Sequence, residues 1–193
     1  MKRSHALAAG VLLLVSGGAA AAQAADSSDA PARTAGHTVS AARWCEQQGG
    51  HAVTRVPYYA TAGGTLSPLG GEREMCVFTD TKKKTKIMIS ADSLASKTPT
   101  LAALAYVRKP AGPSGPGNPS VAYCQGINGT AMFGNRPTDS GGWGPEGATS
   151  TDQIMGTCMF ADGSVIDAWG LKYHQGGVIR GADLTEKFRA DIP

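Results

Sequence analysis

NPSVAYCQGINGT (118–130) and CMFADGSVIDAWGLKY (158–173) frame the stretch whose reading decides the fold. Asn118-Pro119 is an N-cap followed by a first-turn proline. The helix after it puts Val121 and Cys124 at i, i+3, and Asn128-Gly129 ends it. TAMF (130–133) starts a strand, QIMGTCMFA (153–161) returns, and Asp162-Gly163 makes a tight hairpin turn. Beyond the turn, Val165, Trp169, Leu171 and Tyr173 share one face if SVIDAWGLKY is a strand. Val165 and Trp169 are also i, i+4, so a helical start is the alternative. NRPTDSGGWGPEGATSTD (135–152), rich in glycine and proline, reads as a long loop.

Upstream, the same plan recurs. Ser40 caps a helix over AARWCEQQ, which Gly49-Gly50 stops. HAVTRVPYY (51–59) alternates as a strand, with Pro57 favouring an edge position. TAGGTLSPLGG (61–71) is a loop. EREMCVFTD (72–80) and KTKIMIS (84–90) are two further strands joined by a turn in Thr79–Lys83. LAALAYV (101–107) has helical spacing and starts near Pro99. Trp44-Cys45 answers Tyr123-Cys124, Gly50 and Gly129 each lie five residues after their cysteine, and CVFTD (76–80) answers CMFAD (158–162). The two Cys–Cys spacings differ only in loop length. Four cysteines allow three pairings; the parallel spacing favours Cys45–Cys76 and Cys124–Cys158, each worth about 3–4 kcal/mol in the chain-entropy account.

Outside these units, Met1–Ala24 has the charged, apolar and small-x-small parts of a secretory signal peptide, with cleavage near Ala24. Its apolar run is short of the roughly 20 residues that cross a bilayer. Residues 25–39 read as a disordered leader, 40–109 as a first repeat domain, PAGPSGPG (110–117) as a linker, and 118–193 as a second repeat domain. The tail LTEKFRADIP is a short terminal helix or frays. An even number of cysteines in an exported chain reads as a disulfide framework. No Cys-x-x-Cys or Cys-x-x-His pair supports zinc.

Residues 41–109 carry ten Lys/Arg against five Asp/Glu, whereas 118–193 carry five against eight. The near-balanced whole excludes a nucleic-acid footprint, and the basic half could face an anionic envelope surface.

NPSVAYC, Gly129, Cys158-Met159-Phe160, Asp162-Gly163-Ser164 and Trp169 resemble DUF333, a family of small exported bacterial domains of unknown function often labelled hemolysins. The resemblance covers Asn118 to Tyr173. The first unit follows it in outline, with Thr81 and Lys82 in place of Gly-Ser in the turn and no Trp after it. Family members often carry further cysteines around the last strand; Val165 to Pro193 has none. The label implies a membrane-active, hemolysin-like protein as one functional class.

The chain lacks Gly-x-Ser-x-Gly, His-Glu-x-x-His and a phosphate-cradling Gly-Lys-Ser/Thr loop. His51 and His174 read as surface residues. Asp139, Glu146 and Asp152 on one loop read as a solvated acidic stretch, not an EF-hand calcium site. No catalytic residue, cofactor or metal is expected. Candidate binding residues are Trp143, set among glycines as an exposed anchor or alternatively as a lid over the sheet, and Tyr58 and Tyr59 in the counterpart loop of the first unit. Lys82, Lys83 and Lys84 form a solvated hairpin turn that offers contact to anionic partners. The expectation is an exported, periplasmic or secreted α+β protein of two tandem disulfide-stapled domains, each a short helix plus an antiparallel meander. It is read as a non-enzymatic, inhibitor-like binding module for an envelope or extracellular protein. A membrane-active protein and an enzyme with an unconventional site are the other classes.

Overall fold

A computed structural model of the chain describes residues 39–61, 64–113, 117–132 and 140–193. The signal peptide and all but the last residue of the leader lie outside the described residues. The class is α+β. In the first half, α1 (Ala41–Gln47) is followed by β1 (His51–Ala60), β2 (Leu66–Pro68), β3 (Arg73–Asp80), β4 (Thr85–Ser90), α2 (Ala91–Ala95) and α3 (Leu101–Arg108). In the second, α4 (Pro119–Gly126) is followed by β5 (Thr130–Ala131), β6 (Ser140–Gly144), a 3-10 turn (Thr151–Gln153), β7 (Thr157–Met159), β8 (Val165–Asp167) and α5 (Ala168–Gln175). The caps act as their residue types dictate: the Ser40 side chain accepts from Arg43 N and the Asn118 side chain from Ser120 N.

Both disulfides are those the parallel spacing favours, Cys45–Cys76 and Cys124–Cys158, with separations of 31 and 34 residues. Each ties a helix of its unit to the unit's middle strand. The paired glycines belong to the same device. A Cβ on Gly50 would collide with Cys76 Sγ, and one on Gly129 with Cys158 Sγ. The glycine five residues after each cysteine is therefore the gap that lets the chain pass over the sulfur bridge.

The two sequence units are halves of one sheet. The strand order β2-β1-β3-β4-β8-β7-β5 joins them through the antiparallel pair β4–β8. Leaving β2 aside, the order is a palindrome of the repeat, since β1, β3 and β4 play the parts of β5, β7 and β8. One row across the sheet shows it by residue: Ala52, Cys76, Ile89, Ile166, Cys158, Ala131 are successive cross-strand partners. That face carries one core containing Phe78, Ile89, Leu94, Tyr106, Tyr123, Phe160, Ile166 and Leu171 from both halves. The expected division at 110–117 therefore marks the repeat in sequence, while sheet and core run across it. Neither half alone covers this face, which is the physical reason for the merger.

Two local readings change and two open ones are decided. SGGWG, expected as loop, is strand β6, which pairs with β1 and bridges through Trp143 to Met155, just ahead of β7. The sheet thereby curls back on itself. Pro57 consequently lies inside the pairing and not at an edge. Its carbonyl accepts from Leu69 N, while Trp143 opposite spends both backbone groups on Met155 and asks no donor of it. After Val165–Asp167 the chain turns helical, because the enclosed Asp167 side chain accepts from Trp169 N and starts α5. The tail forms no helix, yet it is docked: Leu184 is fully buried, Phe188 is buried, and Trp44 Nε1 donates to Lys187 O at 3.0 Å.

Candidate functional site

Trp143 is the first residue to place, and it is only 8% exposed. It lies on the concave face of the curl with Met75, Met88 and Val165, and Met132 and Met155 pack against this group. Its Nε1 donates to Met132 Sδ at 3.0 Å. The exposed-anchor reading is therefore overturned; Trp143 is turned inward as the lid reading has it, but as part of strand β6 and not as a loop over the sheet. Glycine makes this placement feasible. A Cβ on Gly141 would strike the carbonyls of Met132 and Tyr58, and one on Gly142 the carbonyl of Met155. A strand threaded this closely between its neighbours has room only for backbone.

Tyr58 pairs with Gly142 and so faces away from Trp143. It too is buried, and it builds a cleft. Its hydroxyl donates to Pro145 O at 2.9 Å and accepts from Ala148 N at 3.1 Å, pinning the 145–148 turn against β1. Facing that turn across β1 is the stretch from β2 to Gly71-Glu72. Between them opens a cleft of about 690 Å³ whose wall is Val56, Tyr58, Leu66 and Pro68. Glu72 and Glu146, both exposed, line it as its two carboxylates. The cleft thus joins the two Gly-rich loops that the repeat sets in corresponding positions. Its electrostatics favour a cation with an aliphatic stem, as on Lys or Arg: methylenes against the apolar wall, charge between carboxylates.

The other candidates are dispersed. Tyr59, at 36% exposure, pairs with Ser67 and Gly141 and points opposite to Tyr58. Lys82, Lys83 and Lys84 are exposed in the β3–β4 turn, where Asp80 Oδ1 accepts from the backbone N of Lys82 and Lys83. Those amides, the Lys83 one first, hold the Asp80 carboxyl below its usual range. Asp139 lies outside the described residues; Glu146 belongs to the cleft, and Asp152 caps no site. Among the described residues no group of three His, Cys, Asp or Glu side chains is arranged to hold a metal ion. Sequence reasoning missed Glu72 altogether. The signal that could have found it was the repeat itself, by asking what the loop opposite Glu146 carries.

Two enclosed titratable groups belong to α5. His51 is exposed, as read, but His174 is not: it is buried and stacks on Tyr106 with ring centroids 3.8 Å apart. Burial, helped by Lys109, holds its imidazole below the ordinary value, against the pull of Asp183. Burial pushes the Asp167 carboxyl up to about 6, with the Gly170 amide, Arg180 and the Trp169 amide opposing. The folded carboxyl thus keeps its proton to about pH 6, whereas the unfolded one releases it near 3.8. Between those values folding takes up a proton, so stability is highest below the window and falls as pH rises through it. Urea unfolding should show wild type losing on the order of 2–3 kcal/mol from pH 4 to pH 7 relative to Asp167→Asn, which keeps the cap without the titration. Parallel pH profiles for the two proteins would contradict an enclosed, titrating Asp167.

Comparison with protein families, with curated proteins and with solved structures finds no match. The site therefore has to be read from its own geometry. Two paired disulfides and no free cysteine among the described residues fit an oxidising compartment. No helix among the described residues is long and apolar enough to cross a membrane.

Proposed function

We propose that this is an exported, non-enzymatic binding module of the cell envelope, directed to its place by the Met1–Ala24 signal peptide, and that its recognition element is the cleft between the two counterpart loops. The reading rests on one observation: Glu72 and Glu146, from opposite halves of the chain, line one cleft over an apolar wall whose turn Tyr58 pins. A basic segment of an envelope or extracellular protein is the occupant this chemistry selects. In an inhibitor-like role the module would present this rigid edge to a cationic rim of its target. The DUF333 resemblance of Asn118 to Tyr173 supports the exported, stapled scaffold and leaves the ligand to the cleft.

A defined probe tests it. A short Lys/Arg-rich peptide should shift the amide resonances of Val56, Leu66, Glu72 and Glu146 to Ala148, and a Glu-rich peptide of equal length should not. Reversing both carboxylates, Glu72→Lys with Glu146→Lys, should weaken peptide binding about tenfold or more while the thermal midpoint stays near wild type. Binding of equal strength in the reversed variant, or shifts confined to other strands, would remove the cleft from the proposal.

A further inference from the structure

The lysine turn has no part in the cleft, yet it is not an isolated solvated hairpin. Lys82, Lys83 and Lys84 are exposed in the turn and Lys86 is exposed on β4. The chain that leaves α5 returns to this hairpin: Gly181 N donates to Thr85 Oγ1 at 3.0 Å. Gly181, at φ +65°, lies so close to Phe78 O and Ile87 N that a Cβ there would clash. This contact brings Arg180 beside Lys86, both acting on the enclosed Asp167. The Arg180 guanidinium lies 5.3 Å over the ring of Tyr173, which tilts against Trp169 at 5.4 Å. Tyr173 is 40% and Val178 52% exposed. The lysine turn and the segment from Tyr173 to Gly181 therefore meet at the Gly181–Thr85 contact. Of the carboxylates nearby, Asp80 lies 3.6 Å from Lys83, Asp167 is inside the fold, and exposed Asp183 accepts from Thr185.

We propose that the lysine turn and the adjoining segment dock the protein on an anionic phospholipid surface, with Lys82 and Lys84 at the headgroup phosphates and Tyr173 and Val178 at the interfacial layer. Three features select that occupant. The exposed turn lysines match a negative leaflet. Tyr173 and Val178 add the amphipathic and apolar surface that an interface accepts and that recognition of an acidic protein does not require. A stacked sugar is disfavoured, because Arg180 and Trp169 already cover the ring of Tyr173. Attachment would be peripheral, held by charge and a shallow apolar contact.

The test is sedimentation of the mature chain with vesicles of phosphatidylcholine alone or mixed with phosphatidylglycerol. Binding is expected to the mixed vesicles only, to fall steeply with added salt, and to leave an entrapped dye inside. Lys82→Glu with Lys84→Glu, both at exposed turn positions, should weaken it at least about tenfold. Tyr173→Ser should weaken it severalfold with the salt dependence unchanged. Equal binding to neutral vesicles, binding unaltered in the lysine variant, or dye release would overturn the proposal. So would retention on a poly-glutamate matrix without vesicle binding, which would assign the face to an acidic protein.

Discussion

Trp143→Ala is expected to lower the unfolding free energy by about 3–5 kcal/mol, the range for emptying an aromatic side chain from a core. Three contacts disappear together. The indole leaves the group formed with Met75, Met88 and Val165; Met132 Sδ loses its donor; and the Arg73 guanidinium, 6.0 Å above the ring and anchored on Gly163 O at 2.7 Å, loses its aromatic partner. The backbone hydrogen bonds between Trp143 and Met155 remain available, since alanine keeps both backbone groups, so the loss is one of packing and side-chain contacts. Trp143→Phe keeps most of the apolar volume and should cost roughly half as much. Chemical denaturation followed by far-ultraviolet dichroism measures both. A change below about 0.5 kcal/mol for the alanine variant, typical of surface positions, would refute the buried placement. Loss of binding in this variant therefore says little about a ligand. The two glutamates are the sharper probe, because they are exposed and hold nothing in place.

Removing either disulfide as a pair, Cys45→Ala with Cys76→Ala or Cys124→Ala with Cys158→Ala, should cost about 4 kcal/mol. The closed loops of 31 and 34 residues are nearly equal, so the two losses should agree closely. Both bridges are buried in the shared core, and all four cysteines are fully inaccessible. With a typical domain stability of 5–15 kcal/mol, loss of one bridge should leave a folded protein of lowered midpoint, and loss of both should leave the chain largely unfolded. Guanidinium titrations of the three variants provide the measurement. A loss under about 1 kcal/mol for one pair, beside the full loss for the other, would break the equivalence of the halves and show that one unit carries the fold.

Much of the local structure was legible because its causes are local. Ser40 and Asn118 cap helices through their own side chains, and β3 and β4 are strands as read, although Ile87 to Ser90 are buried on both faces because the sheet curls. The cysteine register, with a glycine five residues on, reported the bridges before any contact was known. Glu72 and Glu146 were harder to read. Nothing in either loop announces that the other exists, and their meeting depends on β6 lying against β1.

The sequence by itself determined the α+β class and two matching units, and favoured the cysteine pairing that the fold makes, since propensity, capping and spacing act within a few residues or within one repeat. Tertiary structure alone decided that the units share a single sheet through Ile89 and Ile166, that SGGWG is a strand, and that Trp143 lies inside. Glycine has almost no conformational preference of its own. What holds Gly141 and Gly142 in a strand is pairing with Tyr59 and Tyr58 of β1, and the Tyr58, Met132 and Met155 carbonyls leave no room for a Cβ there, atoms that come near only once the sheet has curled.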